Sequence, residues 1–224
     1  MKVILGIMLS VLFVLSSCAL EGIIGGNVTP IGEVLKAIEE NGWIVFDTNM
    51  PPSEAQTFTV RGVVTYFYKY YAYIVDEDND GIKLYLKNGD FRDLLESGKL
   101  IEVTGIAYAR DFGDAKEYRL YVSKLDDVKV LEDGTLPEPL EIQDGKSLTL
   151  SEYGKYVVLD ATYEGKDEHD NYIFDNGGAQ VIVYKYSKMP SDLNVGSNYE
   201  LKGVVGQNYG YVLFIWDPSL VTEK

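Results

Sequence analysis

From Ile31 the apolar positions Ile31, Val34, Leu35 and Ile38 recur at intervals of three and four, which puts them on one face of an amphipathic helix. Thr29 is a candidate N-cap and Gly42 a stop. After Phe58 the period changes. Short runs rich in Val, Ile, Tyr and Leu are broken by Gly, Asn and Asp, the pattern of antiparallel strands in a barrel or sandwich. The chain is therefore expected to be mainly β, preceded by one short helix.

The strand-rich region repeats itself at an offset of about 98 residues, longer than a solenoid period and suited to duplicated domains. Tyr73-Ile74-Val75-Asp76 matches Tyr172-Ile173-Phe174-Asp175, and Ile82 to Tyr85 matches Val181 to Tyr184. Leu95, Gly98, Glu102, Val103 and Gly105 match Leu193, Gly196, Glu200, Leu201 and Gly203; Val60 matches Val158, and Leu120 and Val122 match Leu213 and Ile215. Between the copies, Gly134, Pro137 and Pro139 oppose regular structure. The expected organisation is a leader over 1–17, a tether over 18–28, a helix and connection over 29–54, a first module over 55–131, a linker over 132–139 and a second module over 140–222.

Each copy, read through Val60 to Thr65, Tyr73 to Leu86, Leu95 to Ala107 and Leu120 to Leu131, resembles the tandem OB-fold modules of bacterial envelope lipoproteins and those that accompany extracellular nucleases. The resemblance spans about residues 55 to 222 and implies two tandem OB-like five-stranded antiparallel barrels. The first residues add an address. Lys2, the apolar run Val3 to Leu15 and the small residues Ser16 and Ser17 follow the order of a secretory signal. The run is too short to cross a bilayer, which takes about 20 apolar residues as a helix. Leu15-Ser16-Ser17-Cys18 resembles a lipobox, which implies a diacylglycerol on Cys18 and an exported chain anchored through its N-terminal lipid to the cell membrane or outer membrane.

Composition narrows the chemistry. With 46% hydrophobic residues the chain can bury a core, and with 35 acidic against 20 basic residues it carries −15, or −16 once Lys2 is removed with the leader. That charge opposes phosphate backbones and disfavours nucleic acid as a partner; single-strand binding by an OB fold would need a basic groove. One cysteine cannot make an intrachain disulfide or a Cys-rich zinc site, one histidine removes most His-based catalysis and metal binding, and His169 lies in a polar run, Asp167 to Asp170, that reads as an exposed loop. No pair of carboxylates stands out as catalytic.

Two constellations are candidate binding sites. Tyr66, Tyr68, Tyr70 and Tyr71 cluster around Lys69, where exposed rings could stack on a ligand, although alternation sends about half of the neighbouring rings inward. The matching stretch of the second copy, Glu164 to His169, has no aromatic residue, whereas Tyr209, Tyr211 and Trp216 are expected to close the second barrel. Asp76, Asp78 and Asp80, followed by Gly81, alternate oxygens in the manner of a Ca²⁺ loop, but an EF-hand would require Glu where Lys87 stands; the alternative is an acidic hairpin turn. No other cofactor is expected. The function expected is that of a lipid-anchored envelope binding or adaptor protein recognising a protein, glycan or cell-wall ligand. The alternative is an extracellular hydrolase, cation-dependent through the three aspartates, acting on nucleic acid or polysaccharide.

Overall fold

The structure is a computed structural model that describes residues 27–46 and 48–224; the expected leader and Cys18, the expected site of lipidation, lie outside the described residues. Helix α1 (Ile31–Asn41) is followed by β1 (Ile44–Phe46), β2 (Thr57–Tyr68), β3 (Tyr71–Val75), β4 (Gly81–Leu86), β5 (Lys99–Asp111), β6 (Lys116–Val122) and β7 (Val128–Asp133). The second half contains β8 (Leu140–Glu141), β9 (Tyr156–Lys166), β10 (Tyr172–Asn176), β11 (Ala179–Val183), β12 (Asn198–Gln207), β13 (Tyr211–Phe214) and β14 (Val221–Glu223).

Two closed five-stranded barrels result. In the first, β5, β2, β3, β4 and β6 pair in that order and β6 returns to β5; in the second, β12, β13, β11, β10 and β9 close through β9 on β12. The pairs β4–β6 and β11–β13 are parallel, and the remaining barrel pairs are antiparallel. This is the five-stranded OB-type arrangement, and the expected duplication is one of topology as well as sequence.

The repeated glycines have a mechanical reason. At the middle of β5 the chain passes from pairing with β2 to pairing with β6, and a side chain at Gly105 would run into the Tyr121 carbonyl and Leu120. Gly203 meets the Phe214 carbonyl and Leu213 in the same way, so each barrel crosses over itself at a residue without Cβ.

Helix α1 lays Ile31, Val34 and Ile38, all fully buried, into the core formed by Val60, Ile82, Leu84, Ile101 and Leu120. Burying three such side chains contributes roughly 6 kcal/mol. Gly42 ends the helix in the left-handed conformation, as its sequence position suggests. Thr29 is not the cap: Pro30 occupies that position without a side-chain bond, and the Ile31 amide donates to Asp76 Oδ2 at 2.9 Å. The second barrel has its own core around Val157, Phe174, Val183, Leu201 and Leu213. Strand β7 continues to Asp133, so the first two residues of the expected linker are strand paired with β5.

A third cluster joins the barrels. Tyr66, Tyr73 and Val75 of the first pack against Tyr153, Tyr156, Val204, Val212 and Phe214 of the second. Phe214 is the hub, its ring centroid lying 4.8 Å from Tyr66, 5.2 Å from Tyr73 and 4.9 Å from Tyr184. Gly81 and Gly154 touch backbone to backbone across this seam, where a methyl group on either would overlap the other's carbonyl.

Candidate cationic and aromatic cleft at the seam

The outward face of β3, β4, β5 and β6 builds the site. Strand alternation sends Ala72, Ile74, Leu84 and Leu120 inward and leaves Tyr71, Tyr73, Lys83, Glu117 and Arg119 outward. Registration then assembles them: Lys83 is paired with Tyr73 across β3–β4 and with Arg119 across β4–β6, and Arg110 with Glu117 across β5–β6. The docked second barrel removes most of this face from water. Side-chain exposure is 11% for Lys83, 4% for Arg119 and zero for Glu117.

Lys83 Nζ donates to Glu117 Oε2 at 2.9 Å, and Arg119 forms an ion pair with the other oxygen of the same carboxylate. Two buried cations therefore share one buried anion among the described residues. Arg119 Nη1 also donates to Asn49 Oδ1 at 2.7 Å, while its buried Nε has no hydrogen-bond acceptor among the described residues. Burial, reinforced by the nearby Arg119 and Arg110, holds the Lys83 ammonium well below the usual lysine range. Lys83 Nζ lies 4.8 Å from the Tyr71 ring centre and the Arg119 guanidinium 5.2 Å from that of Tyr85, both within cation–π range.

These cations floor a cleft of about 460 Å³ walled by Tyr71, Arg110, Phe112 and Tyr184, with Gln207, Asn208 and Tyr209 contributed by the hairpin between β12 and β13. Tyr209 is fully exposed and adopts the left-handed conformation, φ 53°. Tyr71 and Tyr184 continue the site outward: Tyr71 meets Tyr68 at 6.0 Å, Tyr184 meets Tyr186 at 5.4 Å, and Tyr68 stacks on Tyr186 at 5.8 Å with an 8° interplanar angle. Lys69, Arg92 and Lys185 flank that pair, each within 6 Å of one of its rings. Two larger grooves, of about 760 and 550 Å³, are lined with carboxylates, among them Asp144, Asp160 and Glu200 in one and Asp76, Glu132 and Asp133 in the other.

The four tyrosines singled out by sequence separate into three environments. Tyr66 is buried in the seam; Tyr71 and Tyr68 are partly buried, the first in the cleft wall and the second in the stacked pair; Tyr70 is exposed. Tyr211 packs against both the second barrel's core and the seam, in keeping with the expectation that it closes that barrel, whereas Trp216 serves the seam and Tyr209 is in solvent, contrary to it. Lys83, Arg110, Glu117, Arg119, Tyr184 and Tyr186 had no sequence motif to announce them.

The aspartate loop ties three parts of the molecule together. Asp76 Oδ2 accepts from the first amide of α1, and its Oδ1 accepts from the amides of Asp78 and Asp80. Asn79 exchanges two hydrogen bonds with the Tyr156 backbone at 2.8 and 2.9 Å, and Asp80 faces Lys155 at 3.6 Å. Asp78 is exposed. Among the described residues no group of three His, Cys, Asp or Glu side chains is placed to hold a metal ion.

No protein-family model matches the sequence, and no curated protein is similar to it. Solved structures do align. The p204 HINb domain is 12% identical with a TM-score of 0.33, covering 72% of this chain and 94% of that one. The tetrameric p202 HIN2 domain is 11% identical with a TM-score of 0.31, covering 77% and 96%. A murine DNA-binding protein bound with double-stranded DNA is 13% identical with a TM-score of 0.28, covering 74% and 97%. Scores this low give no correspondence between individual residues.

One of these neighbours is a DNA-binding protein bound with DNA, which stands against the expected envelope adaptor for a protein, glycan or cell-wall ligand and against the disfavouring of nucleic acid. A net charge of −15 is a sum over the whole chain, whereas Lys69, Lys83, Arg92, Arg119 and Lys185 gather along one seam beside aromatic rings.

Proposed function

We propose that this protein binds single-stranded nucleic acid along the seam between its two barrels. The observation that carries the reading is the unbroken succession from the Lys83–Arg119 floor through Tyr71 and Tyr184 to the stacked Tyr68–Tyr186 pair with its three flanking cations. Sequence-tolerant binders of single strands combine cations that follow the phosphates with rings that receive unstacked bases. Bases in a duplex are already stacked on each other and could not use these rings.

The acidic remainder of the surface slows approach without cancelling the local contacts, so affinity is expected to be modest and steeply reduced by salt. A labelled oligothymidylate titrated at low ionic strength should bind, and Tyr186→Ala should weaken it about 5- to 100-fold, the loss of one stacked base. Absence of binding at low salt, or an unchanged affinity in Tyr186→Ala, would refute the reading. Tyr186 is exposed, so the variant is expected to fold.

We also propose, from the lipobox resemblance, that the chain is exported and held at a membrane by lipid on Cys18. Cys18→Ser is then expected to transfer most of the protein from the membrane pellet to the soluble fraction and to abolish incorporation of labelled fatty acid. Retention of both properties would refute the anchor.

A further inference from the structure

We infer that the cleft at the seam is a receptor for a phosphomonoester, and that on a nucleic acid it takes the phosphorylated end of the strand. This rests on the nucleic-acid reading for the bearer of the phosphate, but the site itself stands on its own geometry.

Two features of the cleft converge. Two buried basic side chains, Lys83 and Arg119, share the single carboxylate of Glu117, so the cleft floor is one counter-ion short of holding both as cations among the described residues. Arg119, nine-tenths buried and lining the cleft, keeps its Nε proton without an acceptor. Low-dielectric surroundings make both deficits costly, and an incoming anion with several acceptor oxygens answers both.

The shape of the rim narrows the anion. Phe112 and Tyr209 are exposed rings at the cleft, and Gln207 and Asn208 line it from the opposite barrel. A bare inorganic anion would use neither feature. A phosphate joined to a sugar and base would place its oxygens on Lys83 and Arg119 and its base against the rings.

A terminal monoester also suits the site better than an internal phosphate. It carries about −1.5 to −2 charge near neutral pH and offers three free oxygens. An internal diester has one charge and only two unesterified oxygens, so it would leave more of the donor capacity unused. Arg110, at the cleft wall, adds a further cation to the surroundings.

The test compares four probes on the intact protein: an oligothymidylate with a 5′-phosphate, one with a 3′-phosphate, the same oligomer with neither, and thymidine 5′-monophosphate. At least one phosphorylated oligomer is expected to bind ten-fold or more tightly than the unphosphorylated one. Lys83→Met should erase that preference, the phosphorylated oligomer losing at least ten-fold more affinity than the unphosphorylated one. An unchanged melting temperature in the variant guards against unfolding, and Tyr209→Ala, altered only at an exposed ring, should weaken the monophosphate as a second check.

Equal affinity for phosphorylated and plain oligomers overturns the inference and leaves single-strand binding intact. Binding of the monophosphate without any oligomer supports the receptor and overturns the nucleic-acid reading. Failure of all four probes overturns both, and persistence of the ten-fold preference in Lys83→Met overturns the assignment to this cleft.

Discussion

Replacement of Glu117 by Gln is expected to destabilise the protein by about 3–5 kcal/mol, whereas Lys83→Met should leave stability unchanged or raise it. The asymmetry follows from the count of charges. Glu117 is fully buried and holds both Lys83 and Arg119; without its charge two cations face each other in the seam. Lys83→Met instead leaves a one-to-one pair between Arg119 and Glu117, removes an ammonium that burial already disfavours, and fills the space with an apolar chain of similar length. In thermal unfolding the first change should lower the melting temperature by about 10 °C, since 1 kcal/mol corresponds to about 2–4 °C for a chain of this size. Equal losses in the two variants would show that Lys83 is a structural cation and that its burial is not stability given up for ligand binding.

This buried triad also marks the limit of what the sequence could reveal. The helix was legible because Ile31, Val34, Leu35 and Ile38 carry its period, and the barrels because two copies of one strand pattern align down to the crossover glycines Gly105 and Gly203. Lys83, Glu117 and Arg119 occupy outward positions of amphipathic strands, where charged residues ordinarily meet water. Their burial comes from a second barrel whose docking no local pattern encodes.

A signal for that docking was nevertheless present in the second copy. Val181-Ile182-Val183-Tyr184 and Val212 to Trp216 are continuous apolar runs without alternation, the pattern of strands covered on both faces. At the position matching Lys83 the second copy has Ile182, which packs in the seam. The two copies thus keep one barrel and differ on the face where they meet. The loop from Asp76 to Gly81 was opaque for a related reason: its acids and glycine fit a cation loop or a turn equally well, and only distant partners, the Ile31 amide, the Tyr156 backbone and Gly154, disclose its use as a tie.

The same seam should give way abruptly in alkali. Tyr66, Tyr73 and Tyr153 are buried there, and burial raises each phenol well above its ordinary range near pH 10, with Tyr184 adding to the effect at Tyr66 and Tyr73 at Tyr153. A raised folded-state value means that above pH 10 the native protein keeps protons that the unfolded chain has released. Stability is therefore complete below about pH 10 and falls as pH rises beyond it, by about 1.4 kcal/mol per unit for each group and about 4 kcal/mol per unit for the three together. Lys83 acts in the opposite sense: its lowered value makes stability rise with pH until about 10.5, where the unfolded lysine also loses its proton. Together these groups place a maximum near pH 10, followed by a steep loss that consumes a typical stability of 5–15 kcal/mol within a few pH units. Phenolate absorbance and circular dichroism recorded in the same titration should show these tyrosines ionising in one cooperative step coincident with loss of structure. Gradual, reversible ionisation of all tyrosines near pH 10 with the fold intact would mean that the seam is open to water and that the two barrels are not held together by their aromatic faces.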